Sequence, residues 1–572
     1  MAFTISTSSF SPGSVRKRQV VGQDGLPIVI KEIDQDDFDQ LKESGYSTHD
    51  VKSANTGFPS DEDLERIKKS EKWQKIFDGQ FFDYDLEKAV FSIRDYFYKD
   101  RKKGEVLKVC FNAPKALITK TMRFFIGGKM SFTAVSEKAS ETQLQEIQKR
   151  LKEIINENDF RAYLQETCLS YQIHGFTAGY VWLDVDETES IPVIEEVQYN
   201  ENFPIFGVRR NKIKDWSIAK YVEVEIDIDG KAKKVTAIYR QQYFLSPTYK
   251  LKKDNQGKIE FDDEGIPKYE FVKNELFIYH TLHRTKNTYK TDYKKPLPLA
   301  LLGNEYARFD SNPIEETGLD FMPIKQINNL KQGGKNFGAS IIEDIVSLTE
   351  ELQDALTRLV TEFIKHVASK MAVPASSIVS DIDENTGKPI IDYKQLEIFL
   401  IENGDQIPQY ITKDTSMIDK AFTEIEKILT FMAVMTESPK SFLGIEESGG
   451  AEKVEALRIR RMEFLKKIED YQEIFRLFAQ TLLLWALEID QEGELPEDLS
   501  IDIGFRQGLP RDLEAEARTH SVATDGGFES KETAMKKWQN IDGEELEAEK
   551  TRIAEEEEKN MEKFNFNSFN GT

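Results

Sequence analysis

Apolar residues recur at helical spacing along one unbroken stretch, Ser340 to about Met371, which contains neither Pro nor Gly. One row runs Ile341, Ile345, Leu348, Leu352, Ala355, Leu356, Leu359, Phe363 and Val367, and a second runs Ile342, Val346, Val360 and Ile364. Ser340 and Glu343 read as a capping box, in which each side chain satisfies an orphan N–H of the first turn. At 1.5 Å per residue the stretch predicts a rod roughly 45–50 Å long. Two apolar rows predict two buried faces, more than one amphipathic surface helix requires. Such a rod points to packing between identical neighbours, as in the wall of a ring.

Helical periodicity also begins at Asp61, through Leu64, Ile67, Trp73 and Ile76, and continues from Leu86 to Phe97. Residues 142–174 form a further helical stretch, with Leu144, Ile147, Leu151, Ile154 and Ile155 on one face. The middle of the chain alternates instead. Tyr221–Ile228 and Val235–Phe244 flank Asp229-Gly230, a strong two-residue hairpin signal. Turns follow at Asn255-Gln256-Gly257 and Asp263-Glu264-Gly265, and Gly333, Gly334 and Gly338 predict a flexible lead into the rod. Residues 372–412 read as a small unit: Val373-Pro374 breaks the helix, Asp383–Gly387 turns, and short strands fall at Pro389–Tyr393 and Tyr410-Ile411. Asp414 or Thr415 can cap a second helix through Ile418, Phe422, Ile425, Ile428, Leu429 and Met432. A Gly- and Pro-containing loop, Thr436–Gly450, separates it from a long helix, Ala451–Ile489, and the chain from Arg511 reads as short helices with an acidic close.

Size and charge narrow the picture. A chain of 572 residues has room for three or four domains. The net charge of −24 argues against a protein that grips nucleic acid over a broad basic surface, and it is consistent with a conduit through which DNA slides without sticking. Two cysteines, Cys110 and Cys168, fit a reducing compartment and offer no disulfide framework. The first twenty residues lack the apolar run of a signal peptide, and the longest apolar run, Leu482–Leu487, is too short to cross a bilayer. Residues 1–60, rich in Ser, Gly and Asp, predict an arm that a partner would have to order.

No catalytic centre emerges. Gly128-Lys129 and Gly334-Lys335 each lack the upstream Gly and the downstream hydroxyl of a phosphate-cradling loop. Asp381-x-Asp383-x-Asn385 resembles a calcium loop, but Thr386 replaces the Gly of its sharp turn and Asp392 its final Glu, so a hairpin is the simpler reading. His280 and His283 have no third ligand and read as strand-edge or surface residues. No nucleophile elbow is present, and Phe97, Tyr98, Phe124 and Phe125 suit core positions better than base stacking. No cofactor and no metal site is expected. Two basic features stay open between a functional and a bland reading. Lys440, set among Ser438, Pro439 and Ser441, reads either as a phosphate contact or as part of a solvent loop. Arg458-Ile-Arg460-Arg461 reads either as a phosphate-tracking patch or as a solvated or subunit-pairing helix face.

The order of elements resembles the portal proteins of tailed bacteriophages across about residues 80–560. The likeness rests on Asn112-Ala-Pro-Lys115 running to Phe125-Ile-Gly127-Gly128, and on Asn158-Asp-Phe160 leading to Tyr171-x-x-His174-Gly175-Phe-Thr-Ala-Gly179-Tyr180. It rests also on Pro323-Ile324 with Asn328-Asn329 before the rod, Gly449-Gly450-Ala451-Glu452 before a charged helix, and Ser530-Lys-Glu532-Thr533 before a Glu-rich close. The resemblance implies an α+β, ring-forming subunit, normally in twelve copies, that is not an enzyme. Its parts would be an arm (1–60), a β-rich wing (61–330), a first stem helix (331–371) and a small α/β clip (372–412). A second stem helix (413–435), a tunnel loop (436–450), a long wing helix (451–510) and a helical crown with an acidic tail (511–572) would follow. The resemblance turns the loop toward DNA, with Ser438, Lys440 and Ser441 facing it, and assigns Ile345, Leu352, Leu356, Leu359 and Phe363 to stem packing. It implies double-stranded DNA, the large terminase subunit, major capsid and scaffold proteins, and head-completion or adaptor proteins as partners. The setting would be the virion vertex, reached from the host cytoplasm, with no membrane. Rival readings are a packaging enzyme, the terminase ATPase or nuclease, and a helical capsid scaffold.

Overall fold

The computed structural model describes residues 3–5, 28–30, 58–81, 109–128, 130–183, 191–206, 213–228, 231–254, 258–261, 268–285, 291–330, 335–367, 370–374, 381–382, 389–390, 398–401, 409–411, 416–445, 462–490, 495–505, 513–539 and 546–556. Helices of two turns or more are α1 (Asp61–Phe77), α2 (Ala113–Ile126), α3 (Glu141–Glu157), α4 (Phe160–His174), α5 (Ile341–Val367), α6 (Ser416–Met435), α7 (Met462–Asp490), α8 (Leu513–Asp525) and α9 (Lys531–Gln539); residues 546–556 are helical as well. With the strands below they make a mixed α+β chain. It divides into two compact units: Met1–Glu71 with Phe132–Ala339 and Ile474–Ile503, and Lys72–Ser131 with Ser340–Glu473 and Gly504–Thr572.

The first unit is built on an eight-stranded sheet. Its centre is the hairpin expected around Asp229-Gly230: Ile213–Ile228 and Lys231–Leu251 pair antiparallel from Ile228↔Lys231 to Asp215↔Phe244, while the two turn residues lie outside the described ones. Tyr269–Thr285 covers the other edge of Lys231–Leu251, and Asn202–Phe206 adds to Ile213–Ile228. Two short strands from the region expected as an arm, Phe3–Ile5 and Ile28–Ile30, extend the sheet in parallel pairing. A three-stranded sheet, Ile324–Asn328, Phe176–Leu183 and Pro192–Glu196, contributes Ala178 and Ile324 to a core shared with Trp216, Ile218, Tyr243 and Leu276. The end of α7 buries one broad apolar face, with Phe475, Phe478, Leu482, Leu483, Ala486 and Leu487 fully enclosed, while Arg476, Leu477 and Glu488 are exposed. Gly179 allows that approach, since a Cβ there would run into Tyr163, Leu482 and Phe478.

Several expectations are corrected here. Residues 142–174 form two helices, because Asp159 turns left-handed at φ 38° between α3 and α4 and the Asn158 side chain bonds Ile154 O and Pro192 O, 2.9 Å each. Gly338 is a site of close packing rather than freedom, for a Cβ would collide with the carbonyl oxygens of Asn329 and Gly175. His280 is a core residue, 2 % exposed and stacked on Phe309. Its Nδ1 meets the Tyr239 hydroxyl at 2.7 Å and its Nε2 meets Glu315 at 3.0 Å, so both polar atoms are satisfied indoors. The expected helix at Leu86–Phe97, the turns at 255–257 and 263–265, and Arg458, Arg460 and Arg461 lie outside the described residues.

Ionisable groups in the first unit are held by geometry. Arg66 of α1 donates to Tyr199 O at 2.8 Å and Asn202 O at 2.7 Å among the rings of Phe176, Phe203 and Phe337. Arg150 clasps Asp490 with two bonds (2.6 and 2.5 Å) and Glu153 with one (2.8 Å). Burial lowers the His174 pKa to about 3, helped by nearby Arg66. Burial also raises Glu196 to about 7, although Thr177 donates a 2.7 Å hydrogen bond to its carboxyl group.

Candidate functional site

The second unit holds the rod. The apolar pattern runs as predicted, but the helix ends at Val367, and Lys370–Pro374 is already a strand that pairs with Ile398–Ile401 and Gln409–Ile411. Asp381–Ile382 pairs with Pro389–Ile390, the hairpin preferred over a calcium loop; residues 383–388 between them lie outside the described ones. Among the described residues no group of three His, Cys, Asp or Glu side chains could hold a metal ion. The Ser340 hydroxyl caps α5 by accepting from Ile342 N–H at 3.1 Å.

The two apolar rows of α5 lie about 100° apart around the axis and merge into one broad face within the chain. Ile341, Ile342, Ile345, Leu352, Ala355 and Leu359 are buried, Leu356 is half-buried, and Phe363 is 54 % exposed. Polar residues on the buried arc explain part of its width. Gln353 brackets the backbone of Phe111, accepting from its N–H and donating to its carbonyl at 2.9 Å each. That clamp seats the segment leading into α2, whose first turn is capped by Asn112 Oδ1 on Lys115 N–H at 3.0 Å. The Asn-Ala-Pro motif thus starts a helix that was not expected here, although a cap followed by Pro is a helix signal.

The second helix, α6, packs on α5 and buries Ile425, Ile428, Met432 and Ala433. Four other apolar residues are exposed, Phe422 and Phe431 at 57 % each, Val434 at 64 % and Met435 at 54 %, while Ile418 and Leu429 are half-buried. Phe431 and Ile428 floor a groove along the pair that is rimmed by Glu351, Lys420, Glu424 and Lys427. Arg358 bonds Glu351 at 3.0 Å and approaches Glu424 at 3.6 Å, tying α5 to α6 on the same side.

The loop after α6 is described as far as Ile445. Thr436 caps back onto Met432 O, and Lys440–Leu443 forms a single 3-10 turn. Phe442 and Leu443 are buried, with Phe442 against Phe124 and Phe464. Lys467 Nζ donates to Thr436 O and Lys120 Nζ to Phe442 O, both at 2.6 Å. These two anchoring lysines were missed, and nothing in the loop's own sequence marks them. Of the three residues singled out, Lys440 and Ser441 are exposed, while half-buried Ser438 spends its hydroxyl on Thr436 O at 3.1 Å. Residues 446–450 lie outside the described ones. In the last part of the chain, Ser530 caps α9 through Thr533 N–H at 3.1 Å.

The chain is mixed α+β, and its two long paired helices leave an apolar patch exposed, a surface suited to an interaction. The chain belongs to the phage portal protein family: the family described as "Phage portal protein, SPP1 Gp6-like" matches residues 59–563. No curated protein matches the sequence significantly. Proteins of this family are structural, oligomeric components of the phage capsid. Among the described residues no helix is long and apolar enough to cross a membrane.

Proposed function

We propose that the chain is the subunit of a twelve-membered portal ring at one capsid vertex, the channel through which double-stranded DNA is packaged and later ejected. In this reading residues 61–330 and 451–510 are wing, α5 and α6 are the stem, 372–412 is the clip, 436–450 the tunnel loop and 511–572 the crown. The single observation that carries the proposal is the exposed apolar patch of Phe431, Val434 and Met435, which share one side of α6 at i, i+3 and i+4 spacing; Phe422, half a turn away, and Phe363 of α5 are exposed as well. A lone subunit leaves these side chains in water. Head-to-tail contacts that close after a full rotation remove them from it, and burying a large apolar side chain is worth about 1.5–3 kcal/mol.

The net charge of −24 per subunit means that a ring forms against its own repulsion and that its lumen holds phosphates weakly. Exposed Lys440 and Ser441, on a turn fixed by Phe442, are suited to brief phosphate contacts, and energy for movement comes from a separate packaging ATPase, the large terminase subunit. Head-completion or adaptor proteins then take its place at the clip, and capsid and scaffold proteins surround the wing. Negative-stain images of the purified protein test this reading: stalked twelve-fold rings are expected, and monomers or shapeless clusters contradict it. Added salt, by screening like charge, is expected to stabilise the ring; light scattering that fell as salt rose would count against it.

A further inference from the structure

The first unit carries an open sheet edge with an occupant of unusual reach. Tyr269–Thr285 takes one edge of Lys231–Leu251 as far as Leu251, while Ile213–Ile228 leaves the other edge beyond Phe244. Unpaired strand edges recruit other strands. Here the recruit is Ile28–Ile30, with Val29 opposite Thr248 and Ile30 opposite Tyr249. The rest of the chain starts nearby: Phe58 packs on Phe203 and lies under the Arg240 guanidinium, 4.1 Å from its carbon. Arg240 and Thr248 sit on the same strand, eight residues or about 26 Å apart. The 27 residues 31–57 can span about 90 Å when extended. Pairing on the chain's own edge needs less than a third of that reach. On the neighbouring strand, at the same end of the sheet, Phe271 and Val272 are 55 % and 40 % exposed, so one chain leaves this end incompletely covered.

We propose that in the assembled ring the Ile28–Ile30 strand of each subunit is exchanged, adding to the Thr248–Tyr249 edge of a second copy of the chain. The proposal rests on the homo-oligomer reading above. Exchange keeps the pairing geometry seen within one chain and converts it into a link between subunits, the usual low-cost route of strand swapping. In a closed ring each link acts at high effective concentration, so a short strand holds where it would not hold in free solution.

The test is oxidation of the full chain carrying Ile30→Cys and Tyr249→Cys in a Cys110→Ser background, run on a non-reducing gel, with the mass of the unoxidised particle measured in parallel. Exchange predicts that most chains enter reducible bands of two subunits and larger. A particle of ring mass whose chains stay in the single-subunit band, with an internal disulfide or none, overturns exchange and leaves the ring reading intact. A particle of monomer mass overturns both. Deletion of residues 1–30 avoids the strand substitutions: exchange predicts dissociation of the oligomer at lower urea, and an unchanged dissociation midpoint overturns it.

Discussion

The two compact units use apolar surface in opposite ways. In the first, the sheet, α4 and the end of α7 enclose their large side chains, with Trp216, Tyr171, Phe475 and Phe478 all below 2 % exposure. Most of its exposed apolar residues, such as Ile205 and Leu301, are scattered singly, as on most protein surfaces, with Phe271 and Val272 at the sheet's end the adjacent exception. In the second unit, Phe431, Val434 and Met435 are exposed together at i, i+3 and i+4 of one helix that also buries Ile425, Ile428, Met432 and Ala433. A contiguous outward patch of that kind marks an interaction surface. The first unit encloses its core within one chain except at the end of the sheet beside Phe271 and Val272, whereas the second exposes an apolar patch along a helix.

Substitutions on the two faces of the helix pair break this comparison most sharply. Leu352 is fully enclosed, so Leu352→Asp buries an unpaired carboxylate and is expected to cost several kcal/mol and unfold the subunit; Leu359→Asp should act alike. Phe431→Asp or Val434→Asp, on the exposed patch, is expected to change subunit stability by no more than about 0.5 kcal/mol while abolishing assembly. Thermal melting paired with sedimentation separates the two effects, and a Phe431→Asp chain that assembled normally would remove the basis for the exposed patch's role.

The next largest effect belongs to the first unit. Arg150→Ala leaves Asp490, 5 % exposed, without its two-bond partner and is expected to cost about 2 kcal/mol, read as a shift in urea midpoint. Wild-type-like stability would show the clasp to be incidental.

Acid and base should also act on the first unit. His174 is neutral when folded and titrates near 6.5 when unfolded, so the unfolded chain binds the extra proton and stability falls as pH drops from about 6.5 toward 3. Glu196 has the reverse sign: its folded pKa near 7 exceeds the unfolded value, so its stabilisation is complete below about 4.5 and is lost as pH rises through 7. Glu196→Gln is expected to remove the part of the fall in melting temperature between about pH 4.5 and 7 that this group causes. A variant with the same slope as wild type would assign that slope to other groups.

The smallest structural effect is expected of Lys440→Ala. Its side chain is exposed and the turn is held by Phe442, Lys120 and Lys467, so melting and assembly should stay unchanged. DNA retention in filled particles is the readout, and retention equal to wild type would argue that Lys440 does not touch DNA.

Local pattern explains which features were legible. The hairpin at Asp229-Gly230, both long helices and the strands at Pro389 and Tyr410 were readable because period and turn chemistry are local. The single broad buried face of α5 was not, because what covers a helix row is decided by partners far away in sequence, here the backbone of Phe111 held by Gln353. His280 looked like a surface residue because its two partners, Tyr239 and Glu315, are 41 and 35 residues distant. The order in the loop was hidden for the same reason, with Lys120 standing 322 residues from the carbonyl it anchors. The exposure of Lys440 and Ser441 was legible because a polar turn between two helices is a local signal, whereas the engaged hydroxyl of Ser438 was not.

The most direct test is the solution mass of the purified chain beside that of Phe431→Asp, measured by native mass spectrometry at high concentration. With 65.9 kDa subunits, the account predicts a particle of about 0.8 MDa for the wild type and a folded monomer for the variant. A wild-type chain that stayed at single-subunit mass would contradict it.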